Sequence, residues 1–217
     1  MITFKLSSKK HIPIIVDNGL EYYPQDWLRF RVRKRRLKIV SENEKETIFE
    51  IRGNRIKTNN FFYRNVMESE FLLQFDKWYS PPFKQNGKVM LDVGAGEGET
   101  ALWAILKGTK KVFCVEPDKN AYETLLDNIK RNNWPVEAYN ESFDPEKHLQ
   151  LGCDFAKFDC EGCEELLLKY TPFRFPIALE AHGQDLIDRF SEKGFKITKK
   201  ANWPNHPLKV AAIMHNY

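Results

Sequence analysis

Two acidic residues and three glycines lie close together in the middle of the chain, in a pattern that suits a bound nucleoside. Gly94, Gly96 and Gly98 follow a short apolar stretch, and Asp92 stands two residues before the first of them. Because glycine has no Cβ, the backbone can turn tightly there and a ligand can lie against it. Glu116 ends the next apolar stretch, and a carboxylate can accept hydrogen bonds from both hydroxyls of a ribose. The pattern therefore predicts a nucleoside site after these two stretches.

The spacing of the glycines narrows the choice of nucleoside. A dinucleotide-binding loop has the pattern G-x-G-x-x-G, but here the third glycine comes one residue early. A P-loop ends in G-K-[ST], whereas this loop continues Gly98-Glu99-Thr100 without the lysine. A loop carboxylate such as Glu97 would also repel a pyrophosphate. S-adenosylmethionine has a ribose and a sulfonium cation but no phosphate, so it fits best; the alternative is a glycine turn that only packs a helix on a sheet.

A second group of residues suits proton transfer. Asp159 and Glu161 lie at the end of the fourth predicted strand, and Glu180 and His182 lie at the end of the fifth. Residues two apart on a strand point to the same side, and neighbouring strands lie only about 4.8 Å apart. We therefore expect these four side chains to converge at the carboxyl edge of the sheet, beside the nucleoside site.

Strands and helices alternate from Lys88 onward. The predicted strands cover residues 88–93, 110–116, 136–140, 155–160, 177–181, 196–200 and 210–215, and the predicted helices cover residues 65–79, 98–107, 119–132, 163–170 and 184–193. The connection before the last strand is too short for a right-handed helical crossover, so that strand should run antiparallel. The sequence predicts an α/β fold, a Rossmann-like doubly wound sheet of seven strands, in a domain of residues 65–217.

Residues 1–64 are predicted to form a separate, basic extension that is rich in β-strands. Residues 1–85 contain 17 Lys and Arg against 10 Asp and Glu, whereas the remainder contains 17 against 20. Four arginines alternate with other residues in the segment 29–38, which gives a strand one charged face. This face is either a contact surface for RNA or another anion, or a solvated sheet face. Gly53-Asn54 predicts a two-residue hairpin turn.

The segment FAKFDCEGCEE, residues 155–165, resembles the K-[IF]-D-x-E-G-x-E signature of the FkbM-type methyltransferases, a class I family that uses S-adenosylmethionine. The matching residues are Lys157, Asp159, Glu161, Gly162 and Glu164. Other motifs of the family resemble residues 91–95, 115–117 and 179–182, and Asn128. The resemblance covers residues 65–183. One departure is Gly96, where the family usually has asparagine, followed by Glu97 in place of an apolar residue.

The resemblance implies transfer of a methyl group, most often to a hydroxyl oxygen of a small molecule or glycan. His182 is the first candidate for the base that removes the hydroxyl proton, because histidine ordinarily titrates near neutrality, and Asp159 is the second. His182 could instead be a strand-end imidazole that hydrogen-bonds Glu180. Asp159 and Glu161 could also bind a divalent metal with Glu180 or His182, but the favoured prediction is a site without a metal.

The predicted site therefore has a catalytic part and a cofactor part. The catalytic part consists of His182, Asp159, Glu161 and Glu180. The part that binds S-adenosylmethionine consists of Asp92, Gly94, Ala95, Gly96, Glu97, Gly98, Glu116, Pro117, Ser142 and Asp159. Ser142 is included because it follows the third strand, where class I methyltransferases often contact adenine. Residues 203–207, between the last two strands, are candidates for contacts with the acceptor.

Composition indicates where such a protein would work. A hydrophobic content of 42% supports a substantial core, and no apolar run approaches the ~20 residues of a membrane helix. The N-terminus lacks the features of a signal peptide, so we expect a cytoplasmic protein without a membrane partner. We expect its four cysteines to be reduced, with Cys160 and Cys163 as packing thiols rather than metal ligands. The oligomeric state stays open.

Three other functions stay open at this point. The first is an RNA methyltransferase that binds RNA through residues 29–38, which would show a steep salt dependence of RNA binding. The second is a non-catalytic module that binds an adenosine nucleotide. The third is an NAD-linked oxidoreductase, which the glycine spacing disfavours.

Overall fold

The chain divides into two compact units, Met1–Phe71 and Leu72–Tyr217. The computed structural model describes residues 2–6, 13–17, 20–22, 38–43, 46–59, 71–202 and 210–217. The predicted domain boundary, between residues 64 and 65, falls outside these described residues. The basic segment 29–38 also lies outside them, apart from Lys38, so an RNA-binding role for it stays a prediction.

Six described strands of the first unit form two antiparallel sheets of three strands each. They are β1 (Ile2–Leu6), β2 (Pro13–Asp17), β3 (Leu20–Tyr22), β4 (Lys38–Glu42), β5 (Glu46–Ile51) and β6 (Asn54–Asn59). The turn between β5 and β6 is formed by Arg52 and Gly53, both with positive φ. The prediction of a turn at Gly53-Asn54 was therefore one residue too late. The observed register pairs Phe49 with Ile56, both buried, and such an apolar cross-strand pair stabilises this pairing.

Seven strands of the second unit form one sheet. They are β7 (Val89–Val93), β8 (Lys111–Val115), β9 (Val136–Tyr139), β10 (Phe155–Phe158), β11 (Ile177–His182), β12 (Lys196–Asn202) and β13 (Val210–His215). Their order is β12-β13-β11-β10-β7-β8-β9. The last strand, β13, pairs antiparallel with both neighbours, and the other pairs are parallel. The predicted Rossmann-like sheet with an antiparallel last strand is confirmed.

The direction of chain progression reverses beside β7. Strands β8 and β9 continue to one side of β7, and β10 and β11 lie on the other side. In open sheets of this kind, a ligand binds beyond the carboxyl ends of the strands at such a reversal. The residues that follow β7, β8, β10 and β11 therefore share the edge where the sequence predicts the site.

The helices lie close to their predicted positions. They are α1 (Phe71–Trp78), α2 (Glu99–Leu106), α3 (Lys119–Asn132), α4 (Pro145–His148) and α5 (Gln184–Glu192), with a 3₁₀-helix at Cys163–Tyr170. Asp118 caps α3 as predicted, by accepting a hydrogen bond from the amide of Ala121. The short helix α4 was not predicted, although its Asp144-Pro145 start is a recognisable signal. Residues 65–70 of the first predicted helix lie outside the described residues.

Alternate residues of the central strands pack on opposite faces of the sheet. Leu91 belongs to one buried cluster with Phe158 and Leu179, and Met90 belongs to a second cluster with Trp103. A sheet buried on both faces holds its strand ends rigidly, which fixes the residues that follow them. Within the described residues, no helix is long and apolar enough to cross a membrane.

Candidate active site

The glycine loop, residues 94–98, runs between the ends of β8 and β10. The amides of Gly94 and Ala95 donate hydrogen bonds to the carbonyl oxygen of Val115, at 2.9 and 3.2 Å. Gly94 has a φ of 71°, and a Cβ atom there would lie 1.8 Å from the carbonyl oxygen of Asp159. Only glycine fits this position, because both the φ value and the contact exclude a side chain.

Glu116 follows β8 and holds the loop through both carboxylate oxygens. Its Oε2 atom accepts a hydrogen bond from the amide of Gly96 at 2.8 Å, and its Oε1 atom accepts one from the amide of Asp118, also at 2.8 Å. Each carboxylate oxygen can accept a further hydrogen bond. Glu116 is therefore fixed in place against the loop, with capacity left for hydroxyl groups of a ligand.

Asp92, at the end of β7, forms a buried ion pair with Lys157 of β10. The Nζ atom of Lys157 also donates a hydrogen bond to the carbonyl oxygen of Gly94 at 2.7 Å. Burial raises the pKa of Asp92 to about 6, and the charge of Lys157 offsets only part of that rise. Burial alone would lower the pKa of Lys157, but Asp92 and Asp159 outweigh it and hold that pKa above its ordinary value. Lys157 thus contacts two of the predicted cofactor residues, Asp92 and Gly94, although the sequence analysis assigned it no role beyond the motif.

Two further carboxylates belong to the loop and its helix. Glu97 is buried, and its carbonyl oxygen accepts a hydrogen bond from the side-chain amide of Asn128 at 2.9 Å. The amide of Glu97 donates to Oε2 of Glu99 at 3.1 Å. Burial raises the pKa of Glu99 to about 7, and the charge of Glu97 adds to the rise. The loop and the start of its helix thus carry several acids, and this concentration of carboxylates disfavours pyrophosphate and favours a cation.

The four predicted catalytic side chains lie together at the carboxyl ends of β10 and β11. The Nε2 atom of His182 lies 3.8 Å from Oε2 of Glu161 and 3.8 Å from Oε1 of Glu180. Asp159, Glu161 and His182 can each place one nitrogen or oxygen within 4.8 Å of the others. Asp159 also contacts the glycine loop through its backbone, so the catalytic and cofactor parts of the predicted site adjoin.

Tyr79 belongs to this cluster and was missed by the sequence analysis. It is buried just after α1, and its hydroxyl lies 3.4 Å from Oδ2 of Asp159 and 3.5 Å from Oε2 of Glu180. Burial, followed by the charges of Asp159 and Glu180, raises the pKa of Tyr79 well above its ordinary value. Tyr79 is therefore a neutral donor to these carboxylates. No local signal marks it, because it reaches Asp159 from 80 positions earlier in the chain.

Glu180 is a carboxylate of the cluster with a raised pKa. Burial and then the charge of Asp159 raise the pKa of Glu180 to about 7, while nearby His182 opposes the rise. A carboxyl group that titrates near neutrality can both accept and release a proton at physiological pH. Glu180 therefore combines a pKa near neutrality with a position within the cluster.

The turn that contains Glu161 is stabilised by the side chain of Glu164 and by a disulfide. The carboxylate of buried Glu164 accepts hydrogen bonds from the amides of Cys160 and Gly162, each at 2.8 Å. The sulfur atoms of Cys160 and Cys163 are joined in a disulfide, which corrects the expectation of reduced, packing thiols. The tight turn brings the two Cα atoms within 5.5 Å, a separation that a disulfide can span.

The predicted adenine side of the site is less enclosed. Pro117 is exposed, and its carbonyl oxygen accepts a hydrogen bond from the side chain of Asn140 at 3.2 Å. Ser142 is exposed beyond β9, and its contact with adenine stays a prediction. Residues 203–207, predicted to contact the acceptor, lie outside the described residues.

A seven-stranded sheet of this order, with a glycine loop after β7 and an acid after β8, is the fold of class I methyltransferases. Among curated proteins, the chain is similar to the ribosomal protein L11 methyltransferase of Carboxydothermus hydrogenoformans, with 25% identity over 141 residues. That match covers 60% of this chain and 46% of the relative, so the chain spans less than half of the protein it matches. No family model matches the chain, and the resemblance to FkbM-type enzymes therefore stays a prediction.

Solved structures share the fold at low identity. M. jannaschii TYW2 in complex with AdoMet is 20% identical with a TM-score of 0.52, over 82% of this chain and 87% of that one. The complex of aTrm5 and tRNALeu contains a protein that is 13% identical with a TM-score of 0.53, over 97% of this chain and 58% of that one. Precorrin-6y C5,15-methyltransferase from Geobacter metallireducens GS-15 is 18% identical with a TM-score of 0.50, over 68% and 86%. At these identities the likeness shows the fold alone.

Proposed function

We propose that this protein is an S-adenosylmethionine-dependent methyltransferase that acts on a hydroxyl group of a small molecule or glycan. The observation that carries the proposal is the acidic glycine loop, in which Asp92, Glu97 and Glu116 surround a backbone that only glycine can form at position 94. A protein of known structure with the same fold, M. jannaschii TYW2, was solved in complex with AdoMet, which supports the same donor here.

The loop fits the parts of this donor. Glu116 would hold the ribose hydroxyls through the lone pairs that the amides of Gly96 and Asp118 leave available. Asp92 and Glu97 would attract the positively charged end of the donor, and their charge would repel a phosphate-bearing ligand. Gly94, Ala95, Gly96 and Gly98 would supply the surface against which the donor lies, with Pro117 and Ser142 on the adenine side.

The cluster at the carboxyl ends of β10 and β11 would prepare the acceptor. When bound, the donor supplies an electrophilic methyl group, which leaves sulfur as the acceptor oxygen attacks. The protein must align the hydroxyl and remove its proton. His182 is the proposed base, with Asp159 as the second candidate. Glu180 lies beside His182, and its pKa of about 7 suits it to share the proton.

An RNA acceptor is the second candidate function. Residues 1–85 carry seven more basic than acidic residues, an excess that suits a polyanion. A neighbour with the same fold, aTrm5, was solved with tRNALeu. The ribose of RNA also presents a hydroxyl, so the same base and the same donor would serve either acceptor.

Labelling the acceptor tests the proposal directly. The full chain is incubated with methyl-labelled S-adenosylmethionine and cell-extract fractions that contain RNA, protein, lipid or small molecules. We expect label in the small-molecule fraction and none with the Glu116→Ala variant. Label in RNA would favour the second candidate, and label in no fraction, although the donor binds, would contradict both.

A further inference from the structure

We propose that Asp159, Glu161 and His182 form a binding site for a divalent cation, Mn²⁺ in preference to thiol-seeking metals, at the acceptor side of the donor pocket. The cation's part in catalysis rests on the proposed function, because it would act on the acceptor hydroxyl. Its binding does not, since the ligands belong to the folded chain alone.

The geometry is close to that of a cation site. One ligand atom from each residue lies within 4.8 Å of the other two, and Nε2 of His182 lies 3.8 Å from Oε2 of Glu161. Around a cation with bonds of about 2.1 Å, neighbouring ligands lie about 3 Å apart. The His182 side chain is 6% exposed, whereas that of Glu161 is 76% exposed. A small rotation of Glu161 toward the buried imidazole would therefore complete the site.

The electrostatics of the cluster favour a bound cation. The carboxylates of Asp159, Glu161 and Glu180 lie close to His182, whose Nε2 atom is 3.8 Å from Glu161 and 3.8 Å from Glu180. The Nζ atom of Lys157 approaches Asp159 only at 4.0 Å and is paired with Asp92 at 3.2 Å. A divalent cation would neutralise the excess negative charge that these carboxylates share.

The donor set indicates which cation would bind. Two carboxylates offer hard oxygen ligands and one imidazole offers nitrogen, a mixture that Mn²⁺ accepts readily. Cys160 and Cys163 flank Glu161 in sequence, but their sulfur atoms are joined and offer no thiolate. This turn therefore offers no thiolate ligand to metals that prefer sulfur.

A cation here would change the role of His182. A hydroxyl bound to the cation loses its proton more readily, as a metal-bound water does. His182 would then be a ligand, and the proton would pass to the carboxylate of Glu180, which lies 3.8 Å from Nε2 of His182 and outside the ligand set. The oxygen left negative would attack the methyl group, and the carbon–sulfur bond would break.

Binding of Mn²⁺ to the full-length chain tests the proposal without any need for activity. The protein is treated with EDTA, desalted without reducing agent and titrated with MnCl₂, while electron paramagnetic resonance measures free Mn²⁺. We expect saturation at one ion per chain, and at least about tenfold weaker binding for Glu161→Gln, His182→Ala and Asp159→Asn. Glu165→Gln is the matched control, because Glu165 is an exposed acid of the same turn that pairs with Arg189.

Two results would overturn the cation site. One is the absence of saturable binding by the wild-type chain, and the other is wild-type affinity in Glu161→Gln or His182→Ala variants that circular dichroism shows to be folded. Titration of S-adenosylmethionine into the same protein separates this proposal from the proposed function. If the donor binds and Mn²⁺ does not, only the cation site fails; if Mn²⁺ binds and the donor does not, only the donor assignment fails.

Discussion

The Nζ atom of Lys157 lies 3.2 Å from Oδ1 of Asp92, and the two side chains are 3% and 0% exposed. The pair joins two neighbouring strands at the carboxyl edge of the sheet, and Lys157 also reaches the carbonyl oxygen of Gly94. The buried side chain of Lys157 therefore connects Asp92 with the glycine loop that follows it. A change to either partner should alter both stability and donor binding.

Replacement of Asp92 should change how stability depends on pH. Burial raises the pKa of Asp92 to about 6 in the folded chain, above its ordinary value of 3.8. The folded state therefore binds the proton of the Asp92 carboxyl group more tightly than the unfolded state does. The stability that this protonation contributes is fully present below pH 3.8 and is lost as the pH rises through 6. Relative to Asp92→Asn, the wild-type free energy of unfolding should fall by about 3 kcal/mol across this range.

Urea unfolding of both proteins at a series of pH values measures this difference. Comparison with Asp92→Asn cancels the titration of groups that the two proteins share. A difference that stays constant, or that rises with pH, would show that Asp92 does not have a raised pKa in the folded state.

Gly94→Ala should destabilise the protein and abolish donor binding, because the new Cβ would lie 1.8 Å from the carbonyl oxygen of Asp159. Gly152→Ala is a matched control, since Gly152 has a φ of 70° but a Cβ there would meet nothing within 4 Å. We expect Gly152→Ala to cost about 1 kcal/mol from backbone strain and Gly94→Ala to cost more. Chemical denaturation checks this order, and equal costs would mean that the loop does not abut β10.

Glu116→Gln should weaken donor binding at least about tenfold with little loss of fold, because an amide offers one acceptor oxygen where the carboxylate uses two. Glu137→Gln serves as the control, since Glu137 is an exposed acid on the adjacent strand β9 that pairs with Lys111. Isothermal titration calorimetry with S-adenosylmethionine measures both variants. Unchanged affinity in Glu116→Gln would remove this residue from the donor site.

His182→Ala should leave donor binding intact and reduce turnover at least about a hundredfold, whether His182 acts as base or holds a cation. Calorimetry measures the first quantity, and transfer of labelled methyl to the acceptor measures the second. Turnover equal to that of the wild type would exclude both roles. Dependence of wild-type turnover on Mn²⁺ after EDTA treatment would distinguish the ligand from the base.

Local sequence signals were sufficient to predict where the strands of the second unit lie along the chain and in which direction they run in the sheet. Apolar stretches that alternate with amphipathic segments located the strands, and the short connection before β13 fixed its antiparallel direction. The hairpin turn in the first unit was misplaced by one residue, because a Gly-Asn signal gives the type of turn but not its register. There the pairing of Phe49 with Ile56 sets the register, and such a pair is visible only after folding.

The positions of the candidate-site residues could be predicted at the strand ends, and not where the candidate site depends on contacts between distant parts of the chain. Asp92, Glu116 and His182 follow from the rule that ligands bind at the carboxyl edge of the sheet. Tyr79 could not be found in this way, because it reaches Asp159 and Glu180 through packing of its own segment against the sheet. The disulfide of Cys160 and Cys163 was missed because the composition favoured reduced thiols.

We propose that the glycine loop binds a positively charged nucleoside without phosphates. Calorimetry of the full-length chain with S-adenosylmethionine, ATP and NAD in parallel tests it most directly. We expect one S-adenosylmethionine per chain and at least about a hundredfold weaker binding of ATP and NAD, since like charges brought together cost several kcal/mol. Equal or tighter binding of ATP or NAD, or no binding of S-adenosylmethionine, would contradict it.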